Sequence, residues 1–259
     1  MEQIFFKYQG TGNDFILIDD RSNFFPEKNK SLIKQLCDRR FGIGSDGLIL
    51  LQNASESDFK MVYFNANGSI GSLCGNGARC TVAFAKYVGC ISDVTKFEAS
   101  DGLHNARIES DIISIKMRDV FDVKNFNTHI FLDTGSPHHV QMVKDLKQYN
   151  VYANGKRIRE GEPYNESGSN VNFVEQISEN KFAIRTYERG VEDETLSCGT
   201  GATAVALAMH FIKKTTSNSV VIQVEGGTLE IEFEPTQKGY QNIFLSGPAE
   251  QVYSGTLNF

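Results

Sequence analysis

The feature that most limits what this chain can become is that it repeats itself. Thr11-Gly12-Asn13-Asp14 is echoed by Thr134-Gly135-Ser136-Pro137, 123 positions on. Cys74-Gly75-Asn76-Gly77-Ala78 is echoed by Cys198-Gly199-Thr200-Gly201-Ala202, 124 positions on, and Asp101-Gly102-Leu103 by Gly226-Gly227-Thr228, 125 positions on. One such pair is common by chance. Three in the same order at a nearly constant offset describe a duplicated unit. A length of 259 residues gives each copy the size of an ordinary domain.

Both copies share one plan. Apolar stretches at 16–18, 48–51, 61–64 and 112–117 in the first, and at 171–174, 220–224 and 229–233 in the second, have the composition of strands. Directly after each Cys-Gly-x-Gly comes a helix-length segment, 78–88 and 202–212, apolar on nearly every face, which calls for burial on all sides. The predicted fold is therefore α+β: two pseudo-symmetric domains, each a curved, mostly antiparallel sheet around a central buried helix, with the active site expected in the cleft between them. The boundaries expected are 1–118 for the first half-domain and 119–246 for the second. Residues 149–170, rich in Asn, Gly, Glu and Ser, are expected to be loop.

Composition narrows the function. The hydrophobic share is 40% and the charged share 22%, within the range of globular proteins. A net charge of −6 and the lack of any Lys/Arg-rich run argue against a nucleic-acid partner. The longest apolar run, 202–212, is too short to span a bilayer, so no membrane partner is expected. The first ten residues lack the plan of a secretory signal, and the expected compartment is the cytoplasm. There, the five cysteines at 37, 74, 80, 90 and 198 should be thiols, odd in number and widely spaced. Cys74 and Cys80 have no second Cys/His pair at zinc spacing, so no metal is expected.

The repeated Cys-Gly-x-Gly carries the chemistry. A helix N-terminus lowers the pKa of a thiol. Glycines leave the first-turn N–H groups open to an anion such as a carboxylate. Taken alone, such a cysteine would count as a small core residue; at matching points of a repeat, two of them suggest a pair. A base on one side of a stereocentre and an acid of similar strength on the other can invert it. Donors on the substrate carboxylate would then stabilise the carbanion-like transition state. Cys37, Cys80 and Cys90 lie outside the repeat and are expected in the core. Gly42-Ile43-Gly44-Ser45-Asp46-Gly47 has the letters of a dinucleotide fingerprint, but it follows a helix expected at 31–40 and opens a strand, so no nicotinamide cofactor is implied.

These residues, in order, resemble the diaminopimelate epimerases. The resemblance rests on Gly10-Thr-Gly-Asn-Asp-Phe15, Arg40-Phe-Gly-Ile-Gly-Ser-Asp-Gly47, Phe64-Asn65 and Cys74-Gly-Asn-Gly-Ala-Arg79 in the first half. In the second half it rests on Pro137-His138, Asn170-Val-Asn-Phe173, Glu188-Arg-Gly190 and Cys198-Gly-Thr-Gly201. It implies interconversion of LL- and meso-2,6-diaminopimelate in lysine and cell-wall precursor synthesis, without pyridoxal phosphate or any other cofactor. It further implies that Cys74 and Cys198 transfer the protons. Asn13, Asn65, Asn170, Glu188 and Arg189 would hold the distal end of the substrate, and Gly75, Asn76, Gly199 and Thr200 its reacting carboxylate. His138 and Glu188 would adjust the thiols. The family also implies a C-terminal strand, 247–259, that completes the first domain. A homodimer is the assembly carried with it, although no residue pattern fixes the oligomeric state.

Three departures stand out. Gly47 and Ser136 replace a Gln and an Asn common in the family, and 188–198 is one residue longer than usual. Other readings compete. His138 also suits a structural turn after Pro137, and Glu188–Arg189 a surface ion pair. A proline or hydroxyproline epimerase would share the two-thiol logic. A hydrolase using Cys198 and His138 would leave the place of Cys74 in the repeat unexplained, and a binding protein would need neither thiol.

Overall fold

A computed structural model describes residues 2–71 and 73–258, so the outermost ends of the expected first domain, Met1 and Phe259, lie outside the described residues. The chain forms two compact units, Met1–Ile115 with Gly247–Phe259, and Lys116–Ser246. The break falls after Ile115, not after residue 118, because Met117 packs in the second unit's core and donates its N–H to Ile243 O.

The first unit holds β1 (Glu2–Gly10), β2 (Asn13–Asp19), α1 (Lys30–Cys37), β3 (Gly47–Gln52), β4 (Phe59–Asn65), α2 (Gly75–Tyr87), β5 (Val94–Ala99), β6 (Gly102–Glu109) and β7 (Ile112–Lys116). The C-terminal strand Glu250–Asn258 lies beside β1. From that strand, the ladder runs through β1, β2, β3, β4, β5, β6 and β7. Its successive pairings are antiparallel, antiparallel, parallel, antiparallel, parallel, antiparallel and antiparallel.

The second unit holds β8 (Val123–Asn125), β9 (Ile130–Asp133), β10 (Pro137–Met142), α3 (Val151–Glu160), β11 (Asn170–Ser178), β12 (Lys181–Glu188), β13 (Asp193–Thr195), α4 (Gly199–Phe211), β14 (Ser219–Val224), β15 (Gly227–Thr236) and β16 (Gly239–Pro248). Read from β8 through β9, β10, β11, β12, β14, β15 and β16, the pairings follow the identical series, with β13 added on β12. The repeat in the letters is thus a repeat of topology. Each parallel pair is bridged by a helix, α1 and α2 in one unit and α3 and α4 in the other, as parallel strands require.

Side-chain alternation decides which face each helix covers. In β2 and β3, Phe15, Leu17, Ile49 and Leu51 point to the core around α2, whereas Ile16, Ile18, Leu48 and Leu50 point to the core around α1. Buried on both faces, these strands read as unbroken apolar runs rather than alternating ones. In the second unit the core around α4 takes Ala202 and the whole run from Ala204 to Met209, together with Leu132, Val140, Phe182, Ile222 and Leu245. Each fully buried Leu, Ile or Phe contributes roughly 1.5–3 kcal/mol. The first central helix is less apolar than expected: it buries Arg79, while Tyr87 is largely exposed.

One expectation fails. Residues 149–170 are not loop but carry α3, the counterpart of α1. Asn150 caps it by accepting the Ala153 N–H through its side chain at 3.0 Å. Gly155, which reads as a helix breaker, is required by packing: a Cβ there would sit 2.3 Å from Cβ of Tyr187.

Candidate active site

In the first unit Cys74 is the N-cap of α2 and the Ala78 N–H closes on its carbonyl at 2.7 Å. Around it lies a set of amides held by groups of fixed polarity. Asn13 gives its Nδ2 to the Asp46 carboxylate, which can only accept, so its Oδ1 faces the site. That oxygen receives Asn76 Nδ2 at 3.0 Å, and the Cys74 thiol points to it at 4.0 Å. Asn76 is oriented in turn by Arg79, whose Nη2 donates to Asn76 Oδ1 at 3.0 Å and to Thr11 Oγ1 at 3.2 Å. Asn65 ends β4, its N–H on Ser69 O at 2.9 Å and its Nδ2 on Ser69 Oγ at 3.3 Å.

Arg79 closes the motif Cys74-Gly-Asn-Gly-Ala-Arg79, but the sequence alone gives it no role. Fully buried, it secures Asn76 one turn behind the thiol. A cluster of charges links β1, β2 and the loop between α1 and β3. Asp14 is ion-paired with Lys7 at 2.8 Å and with Arg39 at 2.7 Å, and these partners hold its carboxyl down at about 2 despite its burial.

In the second unit Cys198 is the N-cap of α4, and Ala202 N–H closes on its carbonyl at 2.9 Å. Gly201 is obligatory, since a Cβ there would lie 3.3 Å from the sulfur and 2.5 Å from Asn172 Oδ1. Asn170 opens β11, accepts the Arg189 N–H at 2.9 Å, and donates Nδ2 to Ser136 Oγ at 3.0 Å. The Arg189 side chain donates to Ser167 O at 2.9 Å, and Glu188 accepts the Thr195 hydroxyl at 3.0 Å. His138 is fully buried, and burial with the nearby Arg189 charge pushes it down to about 3, so it is neutral.

Cys80 is fully buried and its thiol is pushed up to about 12 by that burial; Cys37 is buried and also raised. Cys90 departs from the core expectation: it is half-buried beside the first core, its thiol on Asp58 O at 3.6 Å.

Each departure from the family pattern has a local answer. At Gly47 a Cβ would lie 2.4 Å from Cε2 of Tyr63 and 3.1 Å from its hydroxyl, so Tyr63 takes the space of a side chain at 47. Within 188–198 the chain turns between β12 and β13. There Glu192 takes a left-handed φ of 61° and is tied to Arg159 of α3 at 2.9 Å. Ser136 contacts His138 Nε2 at 3.1 Å and Thr200 Oγ1 at 3.4 Å.

A family model for diaminopimelate epimerase matches residues 5–117 and again 130–252, one stretch on each side of the repeat. The chain belongs to the diaminopimelate epimerase family. Among its relatives, a diaminopimelate epimerase of Flavobacterium psychrophilum is 56% identical over 97% of this chain and 99% of its own length. One of Chlorobaculum tepidum is 41% identical over 96% and 98%. The fold extends further. A Bacillus anthracis protein of the PhzF phenazine-biosynthesis family superposes with a TM-score of 0.78 at 13% identity, covering 100% of both chains. A hydroxyproline epimerase from Agrobacterium vitis gives 0.67 at 12%, covering 99% and 92%. Members of this epimerase family are isomerases, and the chain is an enzyme of that kind acting on a small molecule. Among the described residues there is no grouping of three or more His, Cys, Asp or Glu suited to a metal, and no helix long and apolar enough to cross a membrane.

Proposed function

We infer that this enzyme interconverts LL- and meso-2,6-diaminopimelate by two-base proton transfer at the α-carbon, with Cys74 and Cys198 as the base and acid. The observation that carries the reading is their equivalence. Each is the N-cap of a 13-residue helix, each helix bridges the second parallel pair of its ladder, and each cap is followed by Gly-x-Gly. A one-sided hydrolase would have no use for the second thiol. The helix N-terminus favours a thiolate at each cap, and the open N–H groups of Gly75-Asn76 and Gly199-Thr200 suit a carboxylate. That carboxylate gains charge as the α-proton leaves, and donors already in place stabilise it without reorganisation. Asn13, Asn65, Asn170, Glu188 and Arg189 offer the donors and acceptors that a second zwitterionic end needs. This favours diaminopimelate over the hydroxyproline of the Agrobacterium enzyme.

The same reading takes no cofactor, acts in the cytoplasm, where thiols stay reduced, and carries a homodimer as its assembly. Incubation of the purified protein with LL-diaminopimelate in D2O should incorporate one solvent deuterium at the inverted α-carbon and yield the meso isomer. Absence of both would overturn it.

A further inference from the structure

We propose that a directed chain of hydrogen bonds, Thr186–Asn172–His138–Ser136–Thr200, ends as a proton donor on Cys198 and makes it the resting base, with Cys74 the resting acid. The proposal rests on the two-base reading above and adds the direction.

The direction follows from groups that can act in only one sense. Asn172 Nδ2 lies 3.1 Å from the carbonyl oxygen of His139, which only accepts, so the amide nitrogen faces that way. Its Oδ1 then takes the Thr186 hydroxyl at 3.0 Å. The second Nδ2 hydrogen points to His138 Nδ1 at 3.1 Å. That nitrogen must be the unprotonated one, which leaves the proton of the neutral ring on Nε2. Nε2 donates to Ser136 Oγ at 3.1 Å. Asn170 is fixed in the same manner. Its Oδ1 accepts a backbone N–H from Arg189, so its Nδ2 also donates to Ser136 Oγ. With both lone pairs of Ser136 filled, its own hydrogen goes to Thr200 Oγ1 at 3.4 Å. Thr200 then turns its hydroxyl hydrogen to Cys198 Sγ, also at 3.4 Å. A donor aimed at sulfur stabilises the thiolate over the thiol.

The first unit is built the other way. By the offset of the repeat and the faces of the strands, Asn13, Phe15, Ile49 and Asn76 stand where Ser136, His138, Asn172 and Thr200 stand, so this relay has no counterpart there. One contact of Cys74 is an amide oxygen, Asn13 Oδ1, which can only accept, and that contact favours the thiol.

Charged and titratable groups surround each sulfur. Near the start of α4 they are the neutral His138 on β10, Arg118 beside Gly135, Glu188 at the end of β12 with Arg189 after it, and Asp193 and Glu194 on β13, Glu194 being paired with Arg185. Around α2 they are Arg79, Lys7, Asp14, Arg39 and Asp46. Arg79 is the group that works against the assignment, since its charge favours a thiolate at Cys74.

Ultraviolet titration of thiolate in the resting protein, without substrate, tests this. In wild type, Cys74→Ser and Cys198→Ser, the thiolate that forms at the lower pH should vanish only in Cys198→Ser. Ser136→Ala should lower the thiolate fraction at a fixed pH by roughly three- to tenfold, and Ser136→Thr, which keeps the hydroxyl, should restore it. Nitrogen NMR of labelled histidine should show His138 with the proton on Nε2, and Asn172→Asp, which turns the donor into an acceptor, should move it to Nδ1. The relay is overturned if the early thiolate belongs to Cys74, if Ser136→Ala leaves the titration unmoved, or if the His138 proton sits on Nδ1 in the wild type. Wash-in of deuterium judges the epimerase reading separately. A protein that fails wash-in but gives this titration keeps the relay and loses the reaction.

Discussion

Position within a single motif gives two cysteines opposite surroundings. Cys74 and Cys80 lie six residues apart around one helix start. The first caps α2, at the positive end of the helix dipole, and the second is sealed in the interior, where burial penalises its thiolate. Replacing Cys74 or Cys198 by Ala should therefore abolish epimerisation while circular dichroism stays native; near-normal turnover in either variant would sink the two-base mechanism. Cys80→Ala should keep activity and lose about 1–2 kcal/mol of stability to an unfilled volume, read by denaturant midpoint. Asp14 makes a second prediction. Its folded carboxyl is held below its unfolded value near 3.9, so it stabilises the fold at higher pH and that contribution is lost as pH falls toward about 2. Asp14→Asn should flatten acid unfolding in that window. At neutral pH it should destabilise the protein by about 2–3 kcal/mol, because the buried Lys7 loses its partner. An unchanged acid transition would show that Asp14 is not the group responsible. The two cysteines proposed as base and acid are legible in the sequence because the repeat marks them. Arg79 and Asn172 are not, since their importance lies in hydrogen bonds made across strands and helix turns that no periodicity records.

At the scale of elements, the central helices and most strands are readable for a physical reason. Each buries one or both faces, and burial writes an apolar pattern into the letters. The helix α3 is the exception. It covers one side of its sheet with Val151, Gly155 and Ile158 against Tyr187 and Phe173, while Lys156, Arg157 and Glu160 keep the other side in water. A short, polar, glycine-containing helix of this kind is invisible to hydropathy, and only the ladder shows it to be the partner of α1. Its Gly155 supplies the third prediction. Gly155→Ala improves intrinsic helix propensity by about 1 kcal/mol. The added methyl, however, would stand inside contact distance of Tyr187, and forcing the helix away should cost about 1–3 kcal/mol. The sign of the measured stability change decides between them: net destabilisation means packing selects the glycine, and stabilisation would mean that the helix can shift freely. Activity should fall with it, because Tyr187 precedes Glu188 and Arg189 and α3 holds their turn through Arg159 and Glu192.

At the scale of the whole molecule, the two units share one ladder series but close it with different pieces of chain. The second unit is a continuous stretch, Lys116–Ser246, with its own core around α4. The first draws its outermost strand from the far end of the sequence, and that strand pairs with β1 from Glu2 opposite Asn258 to Gln9 opposite Glu250. The seam is fitted: Gly255 admits Phe5, whose Cε1 would lie 2.7 Å from any Cβ at 255, and the Tyr253 ring meets Phe5 edge-on at 6.0 Å. Ending the chain at Ala249 would strip β1 of these partners and leave a row of unpaired backbone groups on an apolar edge. Because β1 carries Lys7, and Lys7 anchors Asp14 next to Asn13, the damage should pass along the ladder to the surroundings of Cys74. The truncated protein is therefore expected to lose epimerase activity. In hydrogen-exchange mass spectrometry its β1 and β2 amides should exchange fast, while those of β10, β11 and β12 keep their protection. Equal loss of protection in both units would show that the fold is a single cooperative body. No loss in either would show that the C-terminal strand adds nothing to the first unit that its own seven strands do not already provide.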